Sequence, residues 1–418
     1  MKILLANSIF HPNIIGGAEK FAHILACRLS SRGHHVDVLA SDGRSGNSRK
    51  LTRRRVEGVS GRIFEAASEG LYDLLDQDGS PSLAVRAVHH AMNARSLRWR
   101  SLAREVVGEA RPDLLHTNTV VGMTTAIWLA ARDAGVPVVH TLHDYHLLCP
   151  RTTLLRSNGG ECLDPPLPCR LLAWPKMRAS AAVDVVTSPS RFVLDRHLEG
   201  GGFSTAKARV VPNAVESLPD AIPDRSGRDM VTGLYLGQLD GHKGIPLLLD
   251  AITAVADGPG GERLRFVFAG DGPLLNDVER FAAADPDRVR YAGFVKGREK
   301  EDLLGEADFL VLPSVWNDNF PLVILDAFSH GIPVIGSARG GIPEVVTDGR
   351  NGRIVQPETS AIAEAMSAYV VDDRLRLRHG ADAAATARDY TVDRQVDMFE
   401  EIYADLLRGL QTDSKQTT

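Results

Sequence analysis

No stretch of this 418-residue sequence approaches the roughly 20 consecutive apolar residues that a membrane-spanning helix requires. The start is equally short of apolar length. Met1 to Ala6 meets polar Asn7 and Ser8 at once, too soon for the core of a secretory signal, and reads as a first buried strand. Cysteine is scarce, with four in the chain. Cys27 falls on an apolar helix face, while Cys149, Cys162 and Cys169 crowd one loop with Pro165, Pro166 and Pro168. Their spacing lacks the close Cys-x2-Cys pairs of a zinc or iron–sulfur site, so the expectation is free thiols on a loop. Charge of one sign is lacking too: 48 Lys and Arg stand against 53 Asp and Glu, a formal net charge of −5. No global field points to nucleic acid, and none is expected as a partner. The chain is expected to be cytoplasmic, or peripheral at the inner face of a membrane.

What the sequence does have is length for two cores and an alternation of β-branched apolar runs with longer helical stretches. Runs at Lys2–Asn7, His35–Ser41, Asp113–Asn118, Val136–His143, Asp184–Ser188 and Ala208–Pro212 each end at polar, Gly or Pro residues. They are apolar without a clean period of two, the mark of parallel strands covered on both faces. A polar stretch with two prolines follows Val215. The alternation restarts at Gly233–Leu239, Leu264–Gly270, Val289–Phe294, Asp308–Pro313, Pro333–Gly336 and Gly352–Val355. The expected class is α/β: two doubly wound, Rossmann-like domains facing each other across a cleft, with ligands at the carboxyl ends of the strands. The boundaries read 1–215 for the first domain, 216–228 for a linker and 229–390 for the second. Residues 391–418 read as a helix returning toward the first domain, with a frayed tail from Gln411.

The most informative stretch is Pro313-Ser-Val-Trp-Asn-Asp-Asn-Phe-Pro-Leu, continuing to Gly336. A strand ends at Pro313, a loop carries Asp318, Asn319 and Phe320, and a helix opens near Pro321 and Leu322. Proline suits a first helical turn because its missing N–H has no intrahelical partner to lose. Free loop N–H groups and the helix dipole make an anion site beside Asp318. Asp326, on the same helix, can accept from two adjacent hydroxyls, which is how a carboxylate grips ribose. Upstream, Leu234-Tyr-Leu-Gly-Gln238 enters a glycine turn and Lys243-Gly244 opens a helix, where a lysine can neutralise a diphosphate leaving group. Gly270 ends another strand, and Phe294 and Val295 end the next.

These motifs resemble the signature of retaining glycosyltransferase family 4, of the GT-B fold, and the resemblance covers nearly the whole chain. That family carries two glutamates separated by seven residues, before a helix ending in Gly-x-Pro-Val-Ile. Asp318 and Asp326 stand at those positions here. The resemblance implies that 1–215 binds the acceptor and 229–390 the nucleotide-sugar. It places Asp318 on sugar hydroxyls, Asp326 on the ribose and Lys243 on the phosphates, with Gln238 where Arg is usual. It also implies close backbone approach at Gly270 and base contact at Phe294 and Val295. Asn319, Phe320, Pro321 and Leu322 complete the expected donor site. Arg339-Gly-Gly-Ile-Pro-Glu344 and Asp348-Gly-x-Asn-Gly352 resemble the loops that close the signature.

In the first half, Gly16 and Gly17 resemble the family's Gly-Gly loop, which faces the donor phosphates and the acceptor. His143 follows a strand in the family's Thr-x-His pattern and is expected to hydrogen-bond the transferring sugar, with Asp144 orienting it and His116 in support. His143, Lys243 and Asp318 are thus the expected catalytic residues. Basic residues between Arg49 and Arg104, among them Arg53, Arg86, Arg95, Arg98, Arg100 and Arg104, suit peripheral contact with an anionic membrane, and such contact would fit a lipid-linked acceptor. The implied reaction moves a sugar from a UDP- or GDP-sugar to an acceptor hydroxyl with retention, without cofactor or metal. Its setting would be bacterial cell-surface polysaccharide, glycolipid or glycoconjugate synthesis. The alternatives are an epimerase or phosphorylase of the same fold, which needs no separate sugar acceptor, and a binding-only relative.

Overall fold

The computed structural model describes residues 1–13, 16–46, 48–70, 85, 88–89, 96–156, 160–162 and 164–416. Ile14 and Ile15 of the glycine loop, Arg86 and Arg95 of the basic stretch, and Thr417 and Thr418 lie outside the described residues. The chain forms two compact units. One is Met1–Leu154 with Cys162–Pro212 and Asp393–Thr418; the other is Leu155–Glu161 with Asn213–Val392.

The first unit is built on eight strands: β1 (Lys2–Ile9), β2 (His35–Ser45), β3 (Thr52–Arg54), β4 (Ile63–Ser68), β5 (Leu114–Thr117), β6 (Val138–Thr141), β7 (Val185–Ser188) and β8 (Lys207–Val210). Their order across the sheet is β3-β4-β2-β1-β5-β6-β7-β8. Every pairing is parallel except β3 with β4. Every residue of β5, β6 and β7 is buried, which only a sheet covered on both faces allows. The sheet order reverses between β1 and β5, the place where an open α/β sheet holds ligands.

The C-terminal helix, Val392–Gln416, belongs with this unit. Its Phe399 and Tyr403 are buried, and the Tyr403 hydroxyl lies 2.6 Å from His116 Nδ1 on β5. Arg32 pins the same helix through Asp397 (2.5 Å) and Glu400 (2.7 Å). The helix runs on to Gln416, past the frayed tail expected from Gln411, because that stretch has no Gly or Pro to stop it.

The second unit carries β9 (Val231–Leu236), β10 (Leu264–Ala269), β11 (Val289–Tyr291), β12 (Phe309–Leu312), β13 (Val334–Ser337) and β14 (Gly352–Val355). All its pairings are parallel, in the order β11-β10-β9-β12-β13-β14. One face packs Phe266, Phe268 and Tyr235 against Tyr369, and the other packs Leu234 and Leu310 against Ile324 and Phe328. The order reverses between β9 and β12, so the loops after these two strands converge.

Residues 216–228, expected as a linker, group with this unit instead. The reason is Arg225, which is only 4% exposed. It donates to the carbonyls of Leu304 (2.9 Å), Ala307 (2.6 Å) and His330 (2.9 Å). Leu304 and Ala307 stand at the C-terminal end of helix Arg298–Glu306, where carbonyls lack intrahelical donors. Among the described residues, no helix is long and apolar enough to cross a membrane.

Candidate functional site

The convergent loops of the second unit bring Lys243 and Asp318 together. Gly244 makes this possible: its φ is +80°, and a Cβ there would fall 2.0 Å from the carbonyl oxygen of Pro313. Only glycine lets the turn Gly241–Lys243 lie so close to the end of β12. Lys243 Nζ then sits 2.6 Å from Asp318 Oδ1, while the Ser314 hydroxyl donates to Oδ2 at 2.5 Å. The ammonium also lies 4.7 Å from the centroid of the Trp316 ring. On the far side, Gly340 has φ +57°, and a Cβ would meet the Asp318 carbonyl oxygen at 2.1 Å. Gly341 N–H donates to that same carbonyl at 2.7 Å. Asp318 is thus buried and fixed by its side chain and its backbone. A cation held this way is oriented in advance for an incoming anion.

Asp326 projects from helix Leu322–Ser329, which Pro321 caps. Its carboxylate lies 3.0 Å from Lys300 Nζ on helix Arg298–Glu306. Glu301 of that helix lies 3.0 Å from His330 Nε2. Lys300, Ser314 and Trp316 were not singled out from sequence. Lys300 stands in the charged run Arg298-Glu-Lys-Glu-Asp302, which reads as a solvated face, and its partner is 26 residues away.

The other expected donor residues fall into distinct environments. Phe294, just beyond β11, is 70% exposed, while Val295 packs on the core. Gln238 is exposed, and its carbonyl accepts from the Tyr235 hydroxyl at 2.6 Å. Gly270 N–H donates to Gly293 at 2.8 Å, tying the loops after β10 and β11 together. The side chain of Phe320 belongs to the core and lies 6.0 Å from Tyr390, so only its backbone remains for a ligand. Asn319, Pro321 and Leu322 are half-buried around the helix start.

In the first unit, Gly16 N–H donates to Glu19 Oε2 at 2.8 Å, closing the start of helix Gly17–Ser31. His143 packs 4.6 Å from the Phe21 ring of that helix. Its Nε2 lies 3.3 Å from Asn118 Oδ1. Burial pushes the His143 pKa down to about 3, so it is a neutral hydrogen-bonding group. Asp144 does not orient it. That carboxylate accepts from His146 N–H at 2.7 Å, and Asn118 at the end of β5 takes the orienting place. His116 is wholly buried between Tyr403 and Thr141, where it anchors the C-terminal helix rather than the site.

The basic stretch is largely neutralised. Arg53 meets Glu109 at 2.7 Å, Arg54 meets Glu65 at 2.8 Å and Arg98 meets Glu69 at 3.0 Å. Arg100 and Arg104 both meet Asp133. The four cysteines are free, and among the described residues no three His, Cys, Asp or Glu side chains come together as metal ligands.

This geometry can be set beside known proteins. The family model described as Glycosyltransferase Family 4 matches residues 15–217, and that described as Glycosyl transferases group 1 matches 231–372. The D-inositol 3-phosphate glycosyltransferase of Corynebacterium jeikeium is 30% identical over 314 residues, 70% of this chain and 72% of that protein. A 42.6 kDa protein in the cps region of Klebsiella pneumoniae is 27% identical over 345 residues, 82% of this chain and 87% of its own. Among solved structures, HepE of Anabaena in complex with UDP superposes with a TM-score of 0.69 at 18% identity, covering 97% of this chain and 100% of that one. The two parallel α/β units define a GT-B fold. The chain belongs to glycosyltransferase family 4, group 1, and is a glycosyltransferase.

Proposed function

We propose that this enzyme transfers a sugar from a UDP- or GDP-sugar to an acceptor hydroxyl with retention at the anomeric carbon. The observation that carries the reading is the Lys243–Asp318 pair, held at the switch point of the second sheet with Asp326 on the following helix. Asp326 and Lys300 flank the ribose, Phe294 offers its face to the base, and Lys243 meets the diphosphate. As the bond from the anomeric carbon to the β-phosphate oxygen breaks, negative charge grows on the leaving group and Lys243 offsets it. The acceptor oxygen bonds the same face of the sugar, and its proton passes to the departing phosphate oxygen. His143, neutral and held by Asn118, hydrogen-bonds the sugar rather than taking a proton. No metal is required for these steps.

The Klebsiella relative's cps region supports a setting in cell-surface polysaccharide or glycoconjugate synthesis. The test is a panel of UDP- and GDP-sugars supplied with candidate acceptors, followed by anomeric NMR of the product. One donor should yield a glycoside of unchanged anomeric configuration. An inverted product, or turnover that needs no separate acceptor, would refute the reading.

A further inference from the structure

A cavity of about 750 Å³ in the first unit is lined by none of the residues placed in the candidate site. It runs beside helix Leu167–Ala179, whose Ala173, Trp174 and Met177 line it. Three residues of this helix leave their apolar surface in water: Leu167 is 68% exposed, Leu171 64% and Trp174 55%. Their spacing of four and then three residues puts them in one row along the helix. A monomeric protein rarely leaves such a row bare, and here it adjoins an open apolar groove.

The charge around the groove is mainly positive. Its charged lining is Arg170, Arg178 and Arg196 against the single carboxylate Glu199, in a chain whose formal net charge is −5. Arg196 is taken up by Glu199 at 3.1 Å, and Arg170 pairs with Asp164 at the rim. The Arg178 guanidinium lies 5.5 Å from the centroid of the Trp174 ring, with no carboxylate within ion-pair distance among the described residues. Long cationic side chains beside Leu and Trp can lay their stems on apolar surface while the heads reach for phosphate.

We propose that helix Leu167–Ala179 and its groove are a docking surface for an anionic lipid bilayer. Leu167, Leu171 and Trp174 enter the acyl boundary, and Arg178 meets lipid phosphates. This surface is separate from the basic stretch, where Arg53, Arg98 and Arg100 are held in ion pairs with Glu109, Glu69 and Asp133. The surface shares no residue with the donor site, so it stands or falls separately from the glycosyl-transfer reading.

The test is co-sedimentation of the full chain with phosphatidylcholine vesicles, with and without phosphatidylglycerol. Binding is expected to need the anionic lipid and to weaken with added salt. The double variant Leu171→Asp/Trp174→Asp should lower the partition coefficient by at least about tenfold, and Arg178→Glu by about fivefold. Both should keep the thermal midpoint and the donor turnover of the parent, since the altered side chains are peripheral to both. Should the double variant misfold, Leu171→Ser carries the same test with a smaller loss. Wild-type protein that ignores anionic vesicles overturns the proposal, as does undiminished binding by the variants. Self-association that the same substitutions abolish, without vesicle binding, would assign the face to a second copy of the chain instead.

Discussion

Replacing Lys243 by alanine is expected to lower kcat by about 10²- to 10³-fold, the usual cost of removing one oriented electrostatic stabiliser from a transition state. Lys243 is the cation held against Asp318, and Gln238, at the position where a family member would carry arginine, brings no charge. The loss should therefore fall on kcat more than on donor KM, because charge on the leaving diphosphate grows as the bond breaks. A second effect follows from the pairing. Asp318 is buried, so Lys243→Ala leaves its carboxylate held by Ser314 alone, and stability falls with activity. Adding Asp318→Asn should recover part of the stability and none of the turnover. A Lys243→Ala enzyme with unchanged kcat would show that the leaving group is stabilised elsewhere.

Acid should unfold the first unit well above the carboxylate range. His116 and His143 are pushed down to about 3, His197 to about 4 and His140 well below its ordinary value, in each case chiefly by burial. The sign follows from linkage. The unfolded chain binds protons below about pH 6.5, while the folded one refuses them until far lower, so the unfolded state holds more protons and gains on acidification. Stability contributed by these neutral histidines is full above pH 6.5 and falls away toward pH 3 to 4. At pH 5 each can cost up to about 2 kcal/mol, and a few such terms rival the whole stability of a domain. The guanidinium midpoint should drop steeply between pH 7 and pH 5. A flat profile over that range would mean the histidines are already charged or hydrated in the fold.

Much of the fold was legible because parallel strands buried on both faces announce themselves as apolar runs. All twelve expected strands occur, with ends shifted by a few residues. The exceptions, β3 and β4, form an edge hairpin in which Arg54 pairs with Glu65, and a run of three arginines hides such a strand. The candidate donor motifs stand out in the sequence because each is a short contiguous run. What escaped was chemistry made through space. Lys300 meets Asp326 only after two separate helices converge, and no spacing foretells the pair; Ser314 lies four residues before Asp318, yet nothing in that loop's sequence shows its hydroxyl turning back to the carboxylate. Asp144 follows His143 in sequence, yet adjacent side chains leaving a strand diverge, and Asn118 from a neighbouring strand end orients the ring. In the basic stretch the cations' partners lie at no fixed spacing, some within it (Glu65, Glu69) and some beyond it (Glu109, Asp133), so the ion pairs are not legible in the sequence.

The central claim is that the donor nucleotide is held at the switch point of the second sheet, with Asp326 on its ribose. Calorimetric titration of UDP and GDP into the wild-type enzyme and into Asp326→Ala tests this most directly. One of the two nucleotides should bind the wild type, and the substitution should weaken that binding by at least about tenfold, the worth of a charged hydrogen bond to hydroxyls. Equal affinity in the two proteins would contradict the account.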